Sequence, residues 1–143
     1  MERMDWALLA ISHAKGAGLS PVQLQKSLFL LGKELPGEVG PDFYSFVPHN
    51  YGPFDSAIYT DAALLSGMGL VTRNNSGRGF VEYAPTPDGL AYAEKLKANA
   101  PGKAVGYLGR VVPWTQGLTF AALVRAIYAK YPEFRENSVF QGQ

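Results

Sequence analysis

The most constraining feature of the chain is a helix start signal close to its beginning. Ser20-Pro21-Val22-Gln23 places an N-cap residue, a proline at the first helical position and a glutamine three residues after the cap. That pattern satisfies backbone donors that a helix start otherwise leaves unpaired. Leu19 before the cap and Leu24 after it form a hydrophobic staple. Leu24, Leu28, Leu31 and Leu35 then recur at steps of four, three and four, which predicts one apolar helix face. Pro36-Gly37 is expected to end the helix.

The flanking segments take their places around it. An earlier helix is expected over Asp5–Lys15, ending at Gly16 and Gly18. Its apolar residues Trp6, Leu8, Leu9, Ala10 and Ile11 nearly encircle it, as in a deeply buried helix. Phe43 to Val47, bounded by Pro41 and Pro48, reads as a strand. His49 to Phe54 reads as a tight turn punctuated by Gly52 and Pro53. Asp55 is expected to cap a third helix, with Ile58, Ala62 and Leu65 on one face and Gly67 and Gly69 closing it. Leu70–Arg73 and Phe80–Ala84 read as a hairpin whose tip, Asn74 to Gly79, tolerates positive φ. Thr86-Pro87 opens a fourth helix to about Ala98. After a break at Asn99–Gly102, a short helix weakened by Gly106 and Gly109 is expected over Lys103–Val112. Thr119 caps a final helix ending at Pro132, and the tail to Gln143 reads as polar and loose.

This order predicts an α+β fold: a winged helix-turn-helix-like core over residues 1–98, with a helical C-terminal extension over 99–143 packing on the same domain. The 143 residues and 47% hydrophobic content suit one domain. Such a domain buries roughly 68–70% of its unfolded surface and needs no covalent or metal staple. No cysteine is present, which excludes thiol chemistry, disulfides and cysteine zinc sites. With two histidines in separate segments and no tight carboxylate cluster, no metal and no cofactor is expected. The start of the sequence lacks a secretory pattern, and the longest apolar run, Trp6 to Ile11, is far short of the ~20 residues of a membrane span. The expectation is a cytoplasmic protein with no membrane role.

Charge bears on the partner. Thirteen basic and 12 acidic residues leave a formal charge of +1, without the basic excess of a dedicated nucleic-acid binder. The third helix fills the slot of a DNA-recognition helix, yet holds Asp55 and Asp61 and no basic residue. No Lys or Arg occurs between Lys33 and Arg73. Binding phosphates requires cations, so this helix is read as unsuited to a groove. Arg73 and Arg78, flanking the hairpin tip, keep a nucleic-acid-binding wing open. Six aromatic residues cluster between positions 43 and 59, and some of them must be core. Tyr44, Phe46, His49, Tyr51, Phe54 and Tyr59 are the candidate partner-binding residues, because aromatic rings are favoured at interface centres. No nucleophile elbow, P-loop or dinucleotide fingerprint surrounds Asp42, Ser45 or His49, and His13 reads as a half-buried hydrogen-bonder. No catalytic residue is therefore assigned. The amphipathic helix Phe120–Tyr131 is a candidate homodimer face.

Four segments resemble the Panacea-domain (SocA-like antitoxin) family and its YwgA-like relatives. They are Leu24-Gln25-Lys26-Ser27-Leu28-Phe29-Leu30-Leu31, Tyr51-Gly52-Pro53-Phe54, Leu64 to Val71, and Ile127 to Phe134 with Asn137-Ser138. The resemblance implies a bacterial winged-helix-like domain with no catalytic residues. Its members serve as antitoxins that neutralise a toxin by direct contact, or as regulators near defence genes. The expected function is a non-enzymatic protein-binding adaptor or antitoxin-like regulator, the alternative a homodimeric DNA-binding transcriptional regulator.

Overall fold

Helix α2 (Pro21–Glu34) begins where its capping signal places it. Ser20 Oγ accepts the Gln23 amide at 3.2 Å, and Gln23 Oε1 accepts the Ser20 amide at 2.9 Å. The structure is a computed structural model that describes residues 1–75 and 81–141. Every α2 residue from Leu24 to Leu31 is buried, not only the leucine face. The helix is thus the axis of the molecule. Around it lie α1 (Arg3–Ser12), α4 (Ala57–Gly67), α6 (Gly102–Gln116) and α7 (Phe120–Lys130), while α5 (Pro87–Asn99) packs on α1. One apolar core joins Trp6, Leu8 and Leu28 to Ala104, Leu108, Val112, Leu123 and Ile127, so residues from both ends of the sequence share it.

The fold is mixed α+β, with two antiparallel two-stranded sheets among the described residues. Strands β1 (Val47–His49) and β2 (Gly52–Phe54) form one sheet, and β3 (Val71–Asn75) and β4 (Val81–Pro85) the other. Leu19 adds a bridge to Tyr83 of β4, with amide–carbonyl distances of 2.8 and 2.7 Å in the two directions. This ties the α1–α2 connection to the β3–β4 hairpin. Among the described residues no helix is long and apolar enough to cross a membrane.

Several expectations are corrected. Residues 43–46 form no strand. Phe43 packs edge-on against Trp6 and Tyr44 instead, and the first strand starts only at Val47. The expected turn over residues 49–54 is a hairpin, with Asn50 and Tyr51 between the strands. It escaped the strand pattern because Pro48 lies opposite Pro53, and neither residue has an amide to donate. Pro36-Gly37 does end α2, but the backbone turns at once into a single helical turn, α3 (Pro36–Val39).

Helix α6 continues through Pro113 to Gln116, well past the expected end at Val112. Its buried face, Ala104, Leu108, Val111, Val112 and Thr115, lies against α1 and α2, and that packing outweighs the poor intrinsic propensity of Gly106, Gly109 and Pro113. The C-terminal tail is anchored as far as Phe140. The Val139 amide donates to the Asn50 carbonyl at 2.9 Å, and Phe140 is buried against Tyr128 and Phe120. The apolar face of α7 is likewise taken up inside the molecule. Leu123, Val124, Ile127 and Tyr128 are buried, while Phe120 at its start stays exposed.

A polar triad ties α4 to the N-terminus. Asp61, 4% exposed, accepts the Tyr44 hydroxyl at 2.7 Å and the Arg3 guanidinium at 3.0 and 3.2 Å. Burial and the Asp61 bond raise the Tyr44 hydroxyl pKa well above the phenolic range. Asp61→Ala would leave the buried Tyr44 hydroxyl unpaired, while Arg3 turns to water. Chemical denaturation should register a loss of about 1–3 kcal/mol.

Candidate functional site

The first turn of α2 is where three surface hollows meet. The first, about 230 Å³, is lined by Val22, Gln25, Lys26, His49, Asn50, Tyr51, Gly52, Phe54 and Tyr59. The second, about 560 Å³, runs along Ser20–Gln23 to Leu118, Phe120 and Leu123. The third, about 390 Å³, lies between Pro21, Tyr59, Ala63, Arg73 and Tyr83. Val22 is common to the first and second, Pro21 to the second and third, and Tyr59 to the first and third. They therefore form one concave surface around Pro21 and Val22.

Aromatic rings wall this surface. Tyr51, at the tip of the β1–β2 hairpin, meets Phe120 edge-on at 5.1 Å, making a ridge between the first two hollows. Both rings are exposed, at 41% and 45%. His49 stacks on Phe54 at 4.6 Å, and Phe54 meets Tyr59 at 5.7 Å. The hairpin that carries these rings is fixed from both sides. Gln25 of α2 accepts the Asp55 amide at 3.1 Å and donates to the Asp55 carbonyl at 2.9 Å. On the other side, Ser138 Oγ receives the Tyr128 hydroxyl at 2.6 Å and donates to the Asn50 carbonyl at 3.3 Å.

Lys26 is among the residues that line the first hollow. It is 3% exposed, and its ammonium donates to the Pro53 carbonyl at 3.2 Å. Burial, which disfavours the charged form, pushes its pKa down to about 8 from 10.5. Gly52 lies beside it at φ +103°, and a Cβ there would lie 3.3 Å from the Tyr128 ring and 3.6 Å from Lys26 Nζ. The backbone conformation favours glycine at this position, and a Cβ would also press on the Tyr128 ring.

The sequence-derived candidates divide into groups. His49, Tyr51, Phe54 and Tyr59 come together on the first hollow. Tyr44 and Phe46 do not join them. They line a separate 240 Å³ depression with Phe29, Phe43 and Phe134. Tyr44 is buried and its hydroxyl is held by Asp61, so its place in a partner-binding patch is corrected to a core role. Phe46 is half-buried against Phe29 at 5.3 Å. Arg73 is exposed at the rim of the third hollow, and Arg78 lies outside the described residues. Sequence reasoning missed Val22, Lys26 and Phe120. The first two are four residues apart, hence on one side of α2, a signal masked by the stronger leucine repeat.

The charge expected on the third helix is also corrected. Both carboxylates of that segment are turned to internal use. Asp61 holds Tyr44 and Arg3, and Asp55 accepts the Ser45 and Ala57 amides at 2.8 and 2.9 Å. The face α4 shows to solvent, Thr60, Ala63, Leu64, Gly67 and Met68, is neutral and largely apolar.

No family model, curated protein or solved structure matches the protein.

Two outcomes check this geometry. Between pH 8 and 10.5 the unfolded state holds the Lys26 proton more tightly than the folded one, so raising the pH favours folding. The unfolding free energy of the wild type should therefore rise relative to Lys26→Met across that window, by on the order of 3 kcal/mol in full. A difference that stays flat with pH would contradict the burial of the ammonium. Gly52→Ala should cost about 1–3 kcal/mol through its positive φ, read as a lower denaturation midpoint.

Proposed function

We propose that this protein is a winged-helix-like domain of the Panacea type that acts by binding a protein partner, as an antitoxin or accessory regulator does, without catalysis. The observation that carries the reading is the confluence of three hollows walled by exposed rings around Pro21 and Val22. Interfaces draw most of their energy from aromatic anchors seated in such concavities. The winged-helix reading draws support from the order of elements. Helix α1, the Leu19 bridge, α2, α4 and the β3–β4 hairpin follow one another as the helices and strands of that arrangement do. The segment from Pro36 to Asp55 is then an insertion between its second and third helices, and it supplies most of the rings.

A DNA-binding regulator is the second reading, favoured by the exposed Arg73 on the third hollow and by the burial of Asp61, the carboxylate of α4. Removing a repulsion does not supply cations, however. The exposed face of α4 has none, and phosphate binding depends on them.

Photo-crosslinking in the source cell separates the two. A benzophenone side chain placed at Tyr51 or Phe120 should yield one discrete protein adduct, and the same group at Tyr92, exposed on α5 away from the hollows, should not. In the isolated complex, Tyr51→Ala and Phe54→Ala should each weaken binding at least about ten-fold without lowering thermal stability by more than a few degrees. Adducts to DNA alone, with affinity falling steeply between 50 and about 200 mM salt and lost in Arg73→Ala, would establish the second reading instead.

A further inference from the structure

We infer that the hollow over Lys26 receives a carboxylate, either the tip of an acidic side chain or a C-terminal carboxylate, presented by the bound partner. This rests on the protein-binding reading and adds what that partner must bring. A lysine ammonium has three N–H donors. At Lys26 one of them meets the Pro53 carbonyl, and among the described residues no carboxylate pairs with it. Its neighbours on α2 differ in this respect. Both amide atoms of Gln25 are occupied by Asp55, and the Ser27 hydroxyl lies 3.4 Å from that of Thr115. A buried cation is costly unless paired, so Lys26 is the one polar group of the α2 core left short of partners.

The shape of the hollow selects the occupant. Val22, the stacked His49 and Phe54 rings, Tyr51 and Tyr59 line it together with Lys26. Gly52 also lines the hollow, and a Cβ built on it would stand 3.6 Å from Nζ, which places the ammonium beside that lining residue. The volume of about 230 Å³ is smaller than a drug-sized ligand site and suits one side chain. Apolar walls over a single cation match an apolar stem with a single negative tip. A phosphate dianion, normally held by several cations or a nest of amides, has a poorer match.

The test uses the full-length protein and four small probes followed by amide NMR: butyrate for a side-chain tip, N-acetylphenylalanine for a C-terminus, butyramide as the neutral isostere, and inorganic phosphate. Saturable shifts at Gly52 and Tyr51 are expected with a carboxylate, at least about ten-fold weaker with butyramide and with phosphate, and absent in Lys26→Met. The tighter of the two carboxylates identifies the source. Because Lys26→Met also loses the bond to Pro53, the Lys26 Cε resonance is followed in the wild type, where a bound carboxylate should keep the ammonium protonated to higher pH. Equal binding of butyramide, tighter binding of phosphate, an unmoved Lys26 titration, or no saturable shift would each overturn the proposal. Carboxylate binding without a crosslinked protein would leave this site standing and remove the protein-partner reading. A crosslinked protein without carboxylate binding would do the reverse.

Discussion

Helix α2 has no solvent side along its middle, and the arrangement of the rest follows from that burial. Between Leu24 and Leu31 the sequence places Gln25, Lys26 and Ser27 inside a core, where an unpaired polar group costs far more than a hydrogen bond gains. Their partners come from elements distant in sequence: the Asp55 backbone, the Pro53 carbonyl and Thr115 of α6. The insertion between α2 and α4 and the C-terminal helices are thereby drawn onto one axis. The polar residues of α2 determine where its neighbours lie, and the apolar ones supply the driving force.

The concave surface is a consequence of the same attachment. The β1–β2 hairpin is short, and a two-stranded hairpin alone is marginal in water. Here it is held by Gln25 beneath and by the C-terminal tail beside it, through Ser138 and Val139 on the Asn50 carbonyl. Tyr51 can then project against Phe120 with little freedom left to lose on binding, which is the condition for an aromatic anchor to contribute fully. Stretches far apart in sequence build one surface.

Charge shows how a composition argument and a surface argument diverge. Counting residues gives the α4 segment two carboxylates and no cation, which reads as an acidic face. Folding buries Asp61 against Tyr44 and Arg3 and engages the half-buried Asp55 with two backbone amides. The exposed face is neutral, with Leu64 and Met68 each 53% exposed. The distinction matters for recognition, because a neutral apolar face neither repels nor attracts a polyanion.

Local signals alone determined the elements whose information lies within a few residues. The Ser20 and Thr119 caps, the Thr86-Pro87 start and the leucine repeat of α2 needed no distant partner, and each forms where the sequence places it. His49, Tyr51, Phe54 and Tyr59 were legible as a group because they are close in sequence and aromatic. Tertiary structure decided the rest. Helix α6 persists through Gly106, Gly109 and Pro113 because its buried face outweighs their propensity. Phe43 and Tyr44 leave the strand pattern because Trp6 and Asp61 hold them in the core. Lys26, an ordinary surface residue by type, becomes a buried cation because α2 is enclosed on every side. Propensity and periodicity report on a few neighbouring residues at a time, whereas burial is set by what the whole molecule brings to a point in space.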